Sequence, residues 1–368
     1  MKDAILKNKI NQTSKQKAGD LQNSNSELAD FDFIRPEALS EFIGQPKLSE
    51  RLGVAIAAAK ARGEVLDHVL FSGPPGLGKT TLAAILAKEM EGQFHSTSAP
   101  VLTKPGDLAR ILTLLEEGDI LFIDEIHRLQ RSCEEILYSA MEDGSIDFVI
   151  GEGMSARSVK LHLKPFTLVG ATTRSGMLSA PLRARFGLHL KLDFYDEDSL
   201  TTILLRAAKI YSIELTESAA NRLAYRSRMT PRESLRLLRR VRDYATLAKP
   251  PQIESQFIDQ CMKSLGIDEL GLNETDRQIL SLLGNRYQGG PVGLRTIAAL
   301  IDEEERTVEE NHEPFLLRIG LLEKTPQGRI LSNAGRSYIG LSENPQLKNA
   351  NTNVDATNPE LPFESELD

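Results

Sequence analysis

The octet Gly73-Pro74-Pro75-Gly76-Leu77-Gly78-Lys79-Thr80 follows the pattern G-x-x-x-x-G-K-[ST]. Glycines at those positions let backbone N–H groups close around phosphate oxygens. The helix that follows adds a dipole favouring negative charge. A lysine in the seventh place reaches β- and γ-phosphates, and a hydroxyl in the eighth can hold Mg²⁺. About 45 residues later, Asp124-Glu125 closes the apolar run Ile120-Leu121-Phe122-Ile123. An acidic pair ending a strand serves as a helix cap or as a catalytic pair. Its distance from a phosphate loop favours the second: Asp124 to hold Mg²⁺ through its water shell, Glu125 to polarise an attacking water. A chance octet match is roughly a one-in-a-hundred event for a chain of this length at average composition.

These residues need elements to position them. Val69-Leu70-Phe71 leads into the octet as a buried strand, and Leu82, Ala83, Ile85, Leu86 and Ala87 follow at helical spacing. The Asp119–Glu125 segment reads as a buried parallel strand that carries its acids to the ligand-binding edge of the sheet. Gln93–Thr97 and Phe166–Thr173 read as further strands, the latter ending in hydroxyls placed to sense a γ-phosphate or position water. His127 has no second His or Cys at ligand spacing and reads as structural. Ile146–Ile150 and Val159–Leu163 alternate about a Gly- and Ser-rich turn, a hairpin signal with Val159, Leu161 and Leu163 on one face. Taken alone, that face packs into a core. Arg183 and Arg185, beside the strand Leu188–Leu192, read as solvated or as reaching a neighbouring subunit's nucleotide. The entry segment Phe33-Ile34-Arg35-Pro36, with Gly44-Gln45 before an Ala-rich helix, resembles the base-side element of AAA+ ATPases.

The chain has 368 residues, enough for two or three domains, and is 40% hydrophobic and 26% charged. No apolar run reaches the roughly 18 residues of a membrane span. The N-terminus lacks the apolar core of a secretory signal. Cys133 and Cys261 make neither a disulfide framework nor a metal site, which suits a reducing cytoplasm. A net charge of −8 argues against a general nucleic-acid coat.

From Glu197 to Gly266 the pattern is helical. Arg222–Arg242 holds eight arginines and one acid. Thr230-Pro231-Arg232-Glu233 reads as a capped helix start, which puts Arg232 in a first turn where a cation is disfavoured unless an anion lies opposite. Three short helical patterns, Asp276–Leu283, Leu294–Ile301 and Arg306–Arg318, precede a hairpin around Pro326-Gln327-Gly328. That is a winged-helix layout, with Lys324 and Arg329 at the wing tip for phosphate contacts. Such domains bind DNA or protein, and both stay open on this reading. Residues 1–30 and 343–368 have the composition of a disordered arm and tail.

The strings GPPGLGKTTLA, ILFIDEIHRL, AMEDG, PFTLVGATTR, PLRARFG, TPRESLRLLRRVRD, GGPVGL and TPQGR, in this order over roughly residues 33–340, resemble the RuvB family of bacterial branch-migration ATPases. The resemblance implies an α/β fold: a P-loop AAA+ parallel-sheet domain over 31–195, an all-α lid over 196–266 and a winged-helix head over 267–342. It implies a homohexameric ATP- and Mg²⁺-dependent motor on the duplex arms of Holliday junctions, in recombination and DNA repair. Its partners would be RuvA and the resolvase RuvC. It assigns nucleotide contact to Ile34, Arg35, Gly76, Gly78, Lys79, Thr80, Thr81, Glu142, Asp143, Gly144, Tyr195 and Arg232. Arg185 takes the place of the arginine finger beside the catalytic Lys79, Asp124 and Glu125. Val159 and Leu161 become the RuvA-docking positions, which turns their face outward. The wing carries Gln327 where relatives often carry arginine.

Two other readings compete with this one. A clamp-loader subunit or unfoldase is disfavoured by the winged head and by the lack of a zinc-type cysteine cluster and of an aromatic-Gly pore loop. A non-catalytic DNA-binding regulator is disfavoured by the intact Lys79, Asp124, Glu125 and Arg185.

Overall fold

The computed structural model describes residues 34–150 and 157–344, with only the backbone at 148–150 and 157–158. The proposed arm (1–30), the turn at 151–156 and the tail beyond 344 lie outside the described residues. The chain divides after Gly271 into two compact units.

The first unit is built on a five-stranded sheet ordered β2-β3-β6-β1-β7. The strands are β1 Val69–Ser72, β2 Phe94–Ser98, β3 Ile120–Asp124, β6 Thr167–Thr172 and β7 Leu188–Lys191. All pairings are parallel. The continuous apolar runs of β1, β3 and β6 follow from this: both faces of a parallel sheet are covered, so no face may be polar. Successive residues feed opposite layers. Val69, Phe71, Ile120 and Phe122 join one apolar cluster, whereas Leu70, Leu121 and Ile123 join the other. Helices α1 Pro46–Arg62 and α2 Lys79–Glu89 cover the first layer, and α3 Pro105–Thr113, α4 Arg131–Glu142 and α5 Ala180–Ala184 cover the second. Asp119 ties the start of β3, accepting the N–H groups of Gln93 and Glu116 at 2.9 Å and meeting His95 at 2.9 Å. Burial raises its pKa, but those N–H bonds and the His95 ring outweigh it and hold the carboxyl below its usual range.

The helices α6 Glu197–Ile210, α7 Glu217–Tyr225, α8 Pro231–Ala248 and α9 Ser255–Ser264 complete the unit. Leu204, Leu223, Leu238 and Ile258 belong to the same apolar cluster as the sheet's first layer. Thr230 caps α8 through the Glu233 N–H, with Pro231 in the first turn, as the sequence suggests. Most of the arginine-rich run is compensated locally. Arg222 and Arg226 meet Asp259, Arg236 meets Glu233, Arg240 meets Asp243, and Arg242 lies over Tyr211. A separate antiparallel pair, β4 Ser145–Ile150 and β5 Arg157–His162, sets Val159 opposite Phe148 and Leu161 opposite Ile146.

The second unit starts with α10 Glu274–Ser281, held by a capping box between Asn273 and Asp276, and continues through α11 Leu294–Leu300. Next come α12 Glu305–Thr307, a π segment Val308–His312 and α13 Glu313–Arg318. The wing is β8 Leu322–Thr325 and β9 Gly328–Leu331, followed by α14 Asn333–Tyr338. The expected α/β unit, helical lid and winged helix are therefore all present. The structure corrects the expectation that Arg329 meets phosphate at the wing tip: its side chain is only 12% exposed and forks onto the buried Glu313 at 2.9 and 2.7 Å. A carboxylate out of water needs this partner, so the guanidinium holds the wing onto α13. Lys324, paired with Arg329 across the strands, is 54% exposed and meets Glu313 at 3.3 Å.

Removing one member of a buried pair strands the other, at a cost of about 3–5 kcal/mol. Arg329→Met is expected to destabilise the second unit by that amount, whereas Lys324→Ala should cost no more than about 1 kcal/mol. Hydrogen exchange of the β8 and β9 amides with increasing denaturant measures both. Equal effects of the two variants would contradict the structural assignment of Arg329.

Candidate active site

The strand order explains the site. β6 lies between β1 and β3, so loops from three neighbouring strands meet at one sheet edge. The loop after β1 turns on Gly73, Gly76 and Gly78, at φ 140°, 81° and 98°, values that favour glycine. Gly73 N–H donates to the Thr172 carbonyl at 3.1 Å, fastening the loop to β6. No side chain caps α2, so its first-turn N–H groups open on the cavity. Lys79 is 8% exposed, and its Nζ donates to the Gly73 and Pro74 carbonyls at 2.8 Å each. Burial pulls its pKa down to about 8; nearby Arg232 adds to this, while Asp124 and Glu125 oppose it.

Asp124 ends β3, and its Oδ1 accepts the Glu125 N–H at 2.9 Å. Glu125 itself stands at φ 52°, a left-handed conformation unusual for a non-glycine residue and a sign of stored strain. That backbone turn places Glu125 on the cavity beside Lys79 and Thr80. Of the two hydroxyls ending the β6 segment, Thr173 lines the cavity, whereas Thr172 Oγ1 turns to His127 Nδ1 at 3.0 Å.

The cavity, of about 560 Å³, extends from the phosphate loop to the entry segment and α8. Its wall includes Ile34, Arg35, Gly76, Gly78, Lys79, Thr80, Thr81, Asp124, Glu125, Tyr195 and Arg232. Tyr195 is buried, donates its hydroxyl to the Leu77 carbonyl at 3.1 Å, and has its phenol pKa raised by that burial. Arg232 reaches the loop from α8: its N–H donates to the Gly76 carbonyl at 3.3 Å, and a Cβ at position 76 would come within 3.0 Å of its own Cβ. Glycine there permits α8 to approach. Several wall residues escaped sequence reasoning: Ile203, Arg206, Leu235, Arg236 and Arg239. Arg206 donates to the carbonyls of Ile34 and Glu41 at 3.2 and 3.1 Å, holding the entry segment to α6. Arg239, 4% exposed, stands two turns beyond Arg232 on α8, and this seven-residue spacing was the available signal.

Four expected site residues do not reach this cavity in the single chain. Arg185, just past α5, ion-pairs with Glu142 at the end of α4 and lies over the Tyr138 ring at 4.6 Å. Asp143 and Gly144 follow Glu142 on the same side, away from the cavity wall. Val159 and Leu161 are 44% and 40% exposed, whereas Leu163 packs against the second apolar cluster, so the core reading of that face holds only at Leu163.

Family models match nearly all of this architecture. The Holliday junction DNA helicase RuvB P-loop domain covers residues 34–192, the RuvB AAA lid domain 195–268, and the RuvB C-terminal winged helix domain 269–340. The chain belongs to the RuvB family. The Holliday junction branch migration complex subunit RuvB of Pseudothermotoga lettingae is 54% identical over 83% of this chain and 90% of its own length. The Thermotoga maritima RuvB is 53% identical over 83% and 92%. The solved Thermotoga maritima RuvB Holliday junction branch migration motor superposes with a TM-score of 0.78 at 49% identity, over 85% of this chain and all of that one. The RuvB site is thus a nucleotide-binding P-loop site. Thr80 and Asp124 supply the hard oxygen donors that suit Mg²⁺. Among the described residues there is no group of three or more His, Cys, Asp or Glu that could hold a metal ion.

Lys79 must be protonated to meet a phosphate. Its free-site pKa is lowered and phosphate contact would raise it, so affinity is complete below the free-site value and lost as pH rises above it. Nucleotide affinity is expected to be level below about pH 8, then to fall by up to about tenfold per pH unit. Titrating a fluorescent nucleotide across this range checks it; a flat profile through about pH 9.5 would contradict the lowered pKa.

Proposed function

We infer that this chain is an ATP-driven motor that moves duplex DNA to drive branch migration of Holliday junctions. The observation that carries the reading is the meeting of Lys79, Asp124, Glu125, Thr173 and Arg232, from three strands and the lid, on one cavity. Lys79, the α2 N–H groups and Arg232 would neutralise the phosphates. Thr80 and Asp124 would hold Mg²⁺, which when bound neutralises charge on the β- and γ-oxygens. Glu125 would orient the attacking water. Such catalysis rests on positioning and electrostatics. Arg232 and Arg239 sit on the lid, so what occupies the cavity would bias the lid's position.

The finer assembly extends this reading. In a homohexamer, Arg185 would leave Glu142 for a neighbour's γ-phosphate, with Glu142, Asp143 and Gly144 beside the same subunit boundary. Val159 and Leu161 are exposed apolar residues and would dock RuvA, with RuvC acting at the same junction. In the second unit, Lys324 has the exposure for duplex phosphate contact. No helix among the described residues is long and apolar enough to cross a membrane.

Steady-state ATPase with four-way-junction DNA and RuvA tests the function. Both should stimulate hydrolysis, Glu125→Gln should abolish it while binding nucleotide, and Val159→Asp with Leu161→Asp should lose only the RuvA response. Junction DNA without any effect on hydrolysis would overturn the motor reading. The boundary role of Arg185 has its own test. Mixing inactive Lys79→Ala with inactive Arg185→Ala protein should recover part of the ATPase, and mixed rings without activity would refute it.

A further inference from the structure

The acidic pair and the end of β6 are joined by a side chain that the hydrolysis scheme above does not use. The His127 side chain is 3% exposed, and the residue follows Glu125 by two positions. Its Nδ1 lies 3.0 Å from Thr172 Oγ1, and its Nε2 lies 3.6 Å from Glu125 Oε2. Thr172 Oγ1 in turn accepts the Arg174 N–H at 3.0 Å. A sequence reading of His127 as structural accounts for its burial but not for the direction of both ring nitrogens.

We infer that His127 is a positioning residue that sets the Glu125 carboxylate against β6, so that Thr172 links this strand to water activation while Thr173 faces the cavity. The proton inventory is consistent. An ionised carboxylate only accepts, so the imidazole proton belongs on Nε2. Nδ1 then accepts the Thr172 hydroxyl proton, and the lone pairs of that hydroxyl remain for Arg174 N–H. In this tautomer each of these donors meets an acceptor. The 3.6 Å separation is longer than a hydrogen bond, as is usual before a substrate tightens a catalytic site. Glu125 turns through a left-handed backbone, and the His127 ring stands beside the carboxylate that this turn presents.

The inference rests on Glu125 orienting water, and its test separates the two. Asparagine at 127 can place an amide near the Nδ1 position and keep the Thr172 link, but it is too short to reach Glu125. Glutamine can place its amide N–H near the Nε2 position and keep the Glu125 link. Nucleotide affinity and single-turnover hydrolysis should be measured for both, with the melting temperature as a folding control. His127→Asn should lose about 10- to 100-fold in the hydrolysis rate with unchanged nucleotide affinity, since small misplacements cost this much. His127→Gln should recover most of the loss. Thr172→Val should slow hydrolysis, and Thr172→Ser should restore it. Nitrogen-15 spectra of histidine-labelled protein should show the Nε2–H tautomer at His127. A dead Glu125→Gln beside a fully active His127→Asn would overturn the inference alone. A fully active Glu125→Gln would overturn the water-orienting reading beneath it. Loss of affinity or folding in step with the rate, equal rates for Asn and Gln, or an Nδ1–H tautomer would each return His127 to a packing role.

Discussion

A positive charge kept nearly out of water organises the first unit. Lys79 would be costly to bury alone. It is tolerated because two loop carbonyls accept from its Nζ and two carboxylates, Asp124 and Glu125, stand near enough to favour the charged form. Those acids reach it only because β6 separates β1 from β3 by one strand width, with the loop fastened to β6 at Thr172. Burial still wins in part, leaving the amine with a lowered pKa and a site short of negative charge to offset it. A triphosphate supplies that charge. The same constraint explains Arg232, a second cation placed where the helix dipole disfavours it.

The lid arginines show how one helix can serve two demands. Along α8, Arg236 and Arg240 pair with acids of the same helix, and such pairs add little beyond solubility and modest local stability. Arg232 and Arg239 stand two turns apart and line the cavity, with Arg236 between them. The apolar stripe of α8 fixes which arginine does which, because Leu237, Leu238 and Val241 must enter the shared core. A basic run thus combines surface charge, ligand charge and packing, sorted by helical period.

Contiguous signals were legible in the sequence. The phosphate loop, the apolar strand ending in Asp124-Glu125, the Thr230 cap and the wing turn each depend on a few neighbouring residues. Their backbone demands are local: glycine at positive φ, period-matched apolar runs, a hydroxyl before a first turn. The family resemblance rests on such strings as well, and it named Ile34, Arg35 and Tyr195, which no chemical pattern would have picked out.

Only the tertiary structure decided which partner each side chain meets. Arg329 and Glu313 are sixteen residues apart and nothing in either segment announces the pair, so a wing cation read as free charge turned out to be a strut. Arg185 rests on Glu142, Arg206 holds the entry segment, and His127 meets Thr172 on β6, each across a separation that sequence spacing cannot encode. The physical reason is the same in every case. Local pattern sets the conformation and the buried face of each element, but ion pairs and hydrogen bonds form between elements. Their identity is fixed by sheet order and helix packing, which bring together residues that the chain itself keeps apart.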